Sequence, residues 1–369
     1  MEFIVVVKNK KRLNYIAEIF LPAKSAYSIH VMKMCNSFSS IGYKINLFIL
    51  NKKKNSNIFN YYNCKNKFKI VNTDIGYNNF CTRIIFAIKI LIRSRHENNS
   101  FYISRSVITG LLLNLFKKNV IIEIHHELKS LSNFLFNIIK RTRYFNYLKF
   151  IFISKNLANL FYINKKNYII LDDAVSLEDF KNTYNKKWKY NKTCVYAGSF
   201  TKGKGVENII QIAKFAKKIQ FHLYGDISIS EYSANDFKEN VHYMGYAKYK
   251  DIPKILSQYK VLLMPYSNKV YVRSNNLEIS KVMSPLKLFE YMASKRVIIA
   301  KYLPIYKHIL NKKNSILIKS NLPKLWAREI NFAFKNFKIT KNLGFEAYRD
   351  VKKYTWNLRA EKIVKFLNV

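Results

Sequence analysis

Met283-Ser-Pro-Leu-Lys-Leu-Phe-Glu-Tyr-Met-Ala-Ser-Lys-Arg-Val-Ile-Ile-Ala300 is the stretch that decides the fold class. Ser284-Pro285 reads as a helix start, with Ser at the N-cap and Pro at the first helical position. Leu286 to Ala293 fits about two turns of helix, and Arg296 to Ala300 reads as a short buried strand. Such a start presents unpaired backbone N–H groups and the positive end of the helix dipole, which suits phosphate. Lys287 adds a cation in the first turn, and Glu290, three residues on, lies near the same face. Phosphate donors beside one carboxylate outline a nucleotide site. Periodicity alone favours an ordinary amphipathic helix before a strand.

Outward from that stretch, short apolar runs alternate with longer amphipathic segments. Strands are expected at Phe3–Val7, Lys44–Leu50, Phe101–Ile103, Val120–Ile124 and Phe150–Ile153. Helices are expected at Tyr27–Ser39, Phe80–Arg95, Ser106–Lys117, Ser132–Tyr147 and Lys155–Ile163. A polar segment from Asp172 to Asn191 interrupts the pattern, which then restarts with Thr193–Ala197. This alternation predicts an α/β chain of parallel sheets with helices on their faces. At 369 residues two domains are expected rather than one. Five of the nine glycines fall within Gly198–Gly245, near predicted strand ends, so the second half is expected to hold the ligand.

Composition narrows the partners. The chain has 65 Lys+Arg against 22 Asp+Glu, a net charge of +43. The excess is spread over both halves, with no basic tail, and no acidic residue occurs from Ile19 to Thr73. Such a surface attracts polyanions, including nucleotides and anionic lipid headgroups. A nucleic-acid-binding protein is a rival reading from charge and aromatic content, but no segregated basic arm or nucleic-acid motif supports it. No run of 18 apolar residues is present, and the Met1–Val7 start lacks a basic n-region. The four scattered cysteines form no metal-binding spacing and fit a reducing compartment. The Phe80–Arg95 segment, apolar with Arg83, Lys89, Arg93 and Arg95, suits either a sheet-covering helix or a basic amphipathic helix on a membrane.

A further glycine loop follows the restarted strand: Gly198-Ser199-Phe200-Thr201-Lys202-Gly203-Lys204-Gly205. Its glycines permit close backbone approach and its lysines neutralise phosphate. It is neither a Walker A loop nor a GxGxxG fingerprint. Taken with Gly225-Asp226, Gly245-Tyr246 and SPLKLFEYMA, it resembles retaining GT-B glycosyltransferases of family 4 (glycosyl transferases group 1), of the surface-polysaccharide type. EIHHEL at Glu123–Leu128, ISKNL at Ile153–Leu157, LDDAVSLEDF at Leu171–Phe180 and Tyr354-Thr355-Trp356 fall in the family's order.

The resemblance implies two Rossmann-like domains facing each other across a cleft, with the C-terminal helix crossing back. Residues 1–172 would be the acceptor-side domain, 173–191 the connection, 192–350 the nucleotide-sugar domain and 351–369 the returning helix. It implies that Glu290 holds the ribose, that the backbone at Leu286 and Lys287 binds the diphosphate, and that Lys204 neutralises it beside Gly198. His125 would face the donor sugar, and Tyr246 would border the base. Ser284, Pro285, Ser199 and Lys202 complete the donor side, while Ser25, Tyr27 and Arg105 are expected on the acceptor side. No metal or other cofactor is implied. The partners would be a nucleoside-diphosphate sugar and a glycan or lipid-linked acceptor, in the cytoplasm at the membrane's inner face. Two departures stand out. Ser199 replaces the arginine common after the glycine, so Lys202, Arg273 or Lys287 would have to supply the second cation. Val282 stands where the family often has a first glutamate, which keeps an epimerase or a non-catalytic protein open.

Overall fold

The computed structural model describes residues 11–53, 57–95, 97, 100–183, 188–272 and 277–367. The chain forms two compact units, Met1–Asp172 with Trp356–Val369, and Asp173–Thr355. The expected strand Phe3–Val7 lies outside the described residues.

The first unit is built on strands β1 (Arg12–Ile16), β2 (Phe20–Leu21), β3 (Lys44–Ile49), β4 (Asn51–Lys52), β5 (Lys69–Asn72), β6 (Phe101–Ser104), β7 (Val120–Ile124), β8 (Lys149–Phe152) and β9 (Tyr168–Ile170). Seven of them make a parallel sheet in the order β5-β3-β1-β6-β7-β8-β9, and β2 pairs with β4. Register is set in the middle, where Tyr15 lies opposite Leu47 on one side and Ile103 on the other. Helices α1 (Ala26–Ser40), α2 (Ile58–Tyr61), α3 (Phe80–Ser94), α4 (Val107–Leu115), α5 (Ser130–Lys140) and α6 (Lys155–Asn159) join the strands. Local chemistry fixes their starts. Ser25, Ser106 and Ser154 each accept a backbone N–H at an N-cap, and Asn79 and Thr82 form a reciprocal capping box. Helix α5 ends at Lys140, and a separate 3-10 turn over Arg143–Tyr147 replaces the single long helix expected there.

The second unit carries β10 (Tyr190–Ala197), β11 (Gln220–Tyr224), β12 (Val241–Tyr243), β13 (Tyr259–Met264), β14 (Val297–Lys301) and β15 (Ile316–Ile318). They form a parallel sheet in the order β12-β11-β10-β13-β14-β15. Its helices are α7 (Val206–Ala213), α8 (Ile252–Ser257), α9 (Leu286–Ala293), α10 (Pro323–Lys335) and α11 (Phe337–Val351). The segment expected as a connection belongs here, because Val175 and Phe180 are buried in this unit's core with Leu288 and Phe289. Helix α12 (Trp356–Leu367) returns to the first unit and packs on α1, burying Trp356, Arg359, Ala360 and Ile363.

Both sheets change winding direction beside their first strand, between β1 and β6 and between β10 and β13. Open α/β sheets bind ligands outside the carboxyl ends of strands at such switch points. Arg105 follows β6 and His125 follows β7. Gly198 follows β10, and Pro265-Tyr266 follows β13.

Candidate functional site

In the second unit the glycine loop leaves β10 at its carboxyl end. Gly203 and Gly205 sit at φ +80 and +99, a left-handed conformation that glycine adopts without strain. Space adds a second reason: a Cβ on Gly205 would lie 2.7 Å from the Pro265 carbonyl carbon. The loop is strapped to the residues after β13 by Ser267 N–H to Gly203 O (2.9 Å) and Tyr271 N–H to Lys202 O (3.2 Å). Tyr196 O–H donates to Ser199 O at 2.7 Å, holding the turn's start.

Against this loop lies the helix α9 terminus. Pro285 is its N-cap and makes no side-chain cap, so the expected Ser284 cap does not form. Ser284 Oγ instead accepts the backbone N–H of Asp173 at 2.9 Å, tying the unit's first residue to this corner. An uncapped start leaves first-turn N–H groups, including those of Leu286 and Lys287, available to an anion.

The Lys287 side chain is the centre of the arrangement. It is 8% exposed, and its Nζ lies 3.4 Å from the Tyr196 ring centroid and 5.4 Å from that of Tyr266. The amine is buried and makes no hydrogen bond. Gly198 makes room for it, since a Cβ there would lie 2.5 Å from Lys287 Cε. Burial pushes the Lys287 amine well below the usual lysine range, the Lys204 charge pushes the same way, and Glu290 opposes both. Burial alone draws Lys204 down to about 8. Two desolvated cations thus share one corner with a helix N-terminus, and Glu290 stands within electrostatic reach.

The other donor-side candidates divide. Gly198, Lys204, Leu286, Lys287 and Glu290 come together. Ser199 Oγ turns to Thr201 Oγ1 at 3.3 Å. Lys202 is exposed, with Nζ 5.7 Å from the Tyr271 ring. Tyr246 is half-buried after Gly245, whose carbonyl accepts the Gly225 N–H at 3.1 Å. Val282 is buried. Arg273 lies outside the described residues.

The first unit holds a different cluster. Glu123 is buried inside the apolar strand β7. Its Oε2 accepts from Tyr15 O–H at 2.7 Å, while its Oε1 meets Arg359 Nη2 at 2.8 Å, His30 Nε2 at 2.8 Å and His125 Nε2 at 2.9 Å. Burial raises the Glu123 carboxyl, but the Arg359 guanidinium and the histidines outweigh it and hold it well below the usual carboxylate range. Burial, with Arg105 nearby, pushes His125 down to about 3, so its ring is neutral at physiological pH. His30 is wedged between rings, edge-on to His125 (4.7 Å) and to Trp356 (5.0 Å). His30, Glu123 and His125 present ligand atoms within 4.8 Å of one another, a spacing open to a metal. Arg359 already brings a positive charge to the same carboxylate oxygen, which opposes a second cation there.

Arg105 stacks 4.0 Å over the Tyr27 ring and keeps one buried guanidinium nitrogen, Nη1, without a hydrogen bond. Ser25 serves its helix instead, accepting from Ser28 N–H at 3.2 Å. Glu123 and Arg359 were not among the expected site residues. Their signals were a lone carboxylate in V-I-I-E-I two residues before His125, and an arginine on the apolar stripe Trp356/Arg359/Ala360/Ile363.

The chain is 27% identical over 205 residues to the "Uncharacterized 41.2 kDa protein in cps region" of Klebsiella pneumoniae, covering 54% of each; it spans about half the length of the curated relative it matches. A glycosyltransferase from Rickettsia africae superposes with a TM-score of 0.73 at 11% identity, covering 98% of both chains. Sucrose-phosphate synthase from Thermosynechococcus elongatus gives 0.72 at 13%, covering 97% of this chain and 98% of that one. Anabaena HepE in complex with UDP-glucose gives 0.68 at 10%, covering 96% and 99%. The fold is therefore that of GT-B glycosyltransferases, and residues 191–336, which carry the glycine loop and helix α9, match the family model described as glycosyl transferases group 1.

Proposed function

We propose that the chain is a glycosyltransferase that moves a hexose or related sugar from a nucleoside-diphosphate sugar to a surface-glycan acceptor, with retention at the anomeric carbon. The observation that carries this reading is the buried Lys287 amine, which makes no hydrogen bond and lies against Gly198 at the carboxyl end of β10. A buried cation of this kind gains most from a buried anion. The diphosphate takes Lys204, Lys287 and the N–H groups opening α9, and Glu290 accepts the ribose hydroxyls. Lys287 then supplies, from the helix, the second cation that Ser199 does not.

In this reading the anomeric C–O bond to the diphosphate breaks as the acceptor oxygen bonds to the same face, and the acceptor's proton passes to a diphosphate oxygen. No protein nucleophile takes part; the lysines and the helix stabilise the departing charge. The lysines occupy the electrostatic role a metal would play, so turnover should survive chelation by EDTA. The neutral His125 ring, oriented by Glu123, is assigned to the sugar, and Arg105 with Tyr27 to the acceptor side. The cps-region relative supports a capsule-type glycan, and the UDP-glucose complex of a protein of the same fold makes uridine nucleotides the first donors to test.

A second reading is favoured by Val282, a buried apolar side chain where a sugar-contacting glutamate is expected: donor binding without transfer. Incubation with UDP-sugars and glycan acceptors separates the two. Glycosylated product that is lost in Glu290→Ala supports the transferase. Tight nucleotide binding with neither product nor donor hydrolysis supports the second reading.

A further inference from the structure

We infer that the outer face of helices α3 and α5 docks on an anionic lipid bilayer. On α3 the inward positions Thr82, Phe86, Ala87, Ile90, Leu91 and Ser94 are buried. The opposite stripe is also apolar and lies in water: Ile85 (46% exposed), Ile88 (46%) and Ile92 (52%), entered from Phe80 (58%). A helix that only covers its own sheet has one apolar face and one polar face; α3 has two apolar faces.

Helix α5 repeats the pattern, burying Phe136 and Ile139 while exposing Phe134 (62%) and Ile138 (45%). Those two side chains line a shallow groove of about 380 Å³ with Ser130, Asn133, Asn137 and Arg141. The helices belong to one layer, each packed on α4, and Arg83 Nη2 on α3 donates to Ser132 Oγ on α5 at 3.0 Å. The two apolar stripes therefore start side by side, on the carboxyl-end side of the sheet, where His125 follows β7.

Charge selects the occupant. Neither helix contains an acidic residue, and Arg93, Arg95, Lys129, Arg141 and Arg143 are exposed on or beside them. Apolar side chains rimmed by these five cations, with Glu127 the one exposed carboxylate close by, suit a membrane interface with anionic headgroups. A second copy of the same face would bring like charges together. The inference stands on the first unit alone and holds whether or not the chain transfers sugars.

The test is co-sedimentation with vesicles of phosphatidylethanolamine and phosphatidylglycerol, against phosphatidylcholine, at about 0.15 M salt. The wild-type chain should bind the anionic vesicles, and Ile88→Glu with Phe134→Glu should weaken binding by at least about tenfold. Equal binding by that variant, or none by the wild type, overturns the inference. So does a wild-type dimer that the two substitutions dissociate. Ile88→Trp gives a readout independent of the charge reversals: its fluorescence should be quenched by brominated acyl chains, and an unquenched tryptophan on bound protein contradicts bilayer contact.

Discussion

The two units keep their buried charges in opposite states. Around Glu123 the account is closed: Tyr15, His30, His125 and Arg359 surround one carboxylate. Around Lys287 it is open: two cations share a corner, and the more buried one makes no hydrogen bond. A saturated cluster fixes geometry before any ligand arrives. An unsaturated one stores an electrostatic deficit that an anionic ligand relieves. The first unit thus resembles an orienting device for His125, and the second a receptor.

The largest expected effect comes from opening the closed cluster. Glu123→Gln leaves the Arg359 guanidinium buried without its counter-charge and should cost about 3–5 kcal/mol in denaturant unfolding. A loss below about 1 kcal/mol would show that the cluster is not a stabilising hub. The mirror experiment is Lys287→Met, which removes a desolvated charge. The ligand-free variant should be at least as stable as wild type, while its nucleoside-diphosphate affinity falls about 30-fold or more. One substitution damages the fold, and the other damages only binding.

The comparison was only partly legible in the sequence. Gly198, Lys204, Lys287 and Glu290 lie in a glycine loop and a helix start that local chemistry marks only weakly, and it was the family resemblance that joined them. Glu123 was hidden because three of its four partners, Tyr15, His30 and Arg359, are remote: Arg359 lies 236 positions away. Strand β1 was hidden by its polarity, since Asn14 is fully buried and satisfied by Asn46 and Glu97. Helices α10 and α11 show only four buried positions each, and several of these are Ala, Gly or Thr, which leaves a faint periodic signal. Ser284-Pro285 marked a real helix start but misassigned the cap by one residue, because Ser284 is used by the distant Asp173 N–H.

Protonation separates the units by sign. His125 titrates near 3 when folded against an ordinary 6.5, so the unfolded chain takes up a proton first as pH falls. Stability of the first unit should therefore decline from about pH 6.5 towards pH 3, and the depressed Glu123 carboxyl adds to the loss below about pH 4.5. In the second unit Lys204 loses its proton around pH 8, so diphosphate affinity should fall as pH rises through that value. Acid should loosen the first unit, and alkali should empty the second. Thermal unfolding and nucleotide titrations across pH 4–9 check both signs.

The smallest effect is steric. Gly198→Ala places a methyl group against the Lys287 stem and should displace the amine, weakening nucleotide binding about tenfold with little change in stability.

The central claim, that a nucleoside diphosphate completes the open charge cluster, is tested most directly by calorimetric titration of UDP and the other nucleoside diphosphates into wild type, Lys204→Ala and Lys287→Met. Wild type should bind at least one of them, with proton uptake above about pH 8 as bound phosphate restores the Lys204 charge, and both variants should lose that binding. Wild-type affinity retained in both variants, or no binding of any nucleoside diphosphate to the wild type, would contradict the account.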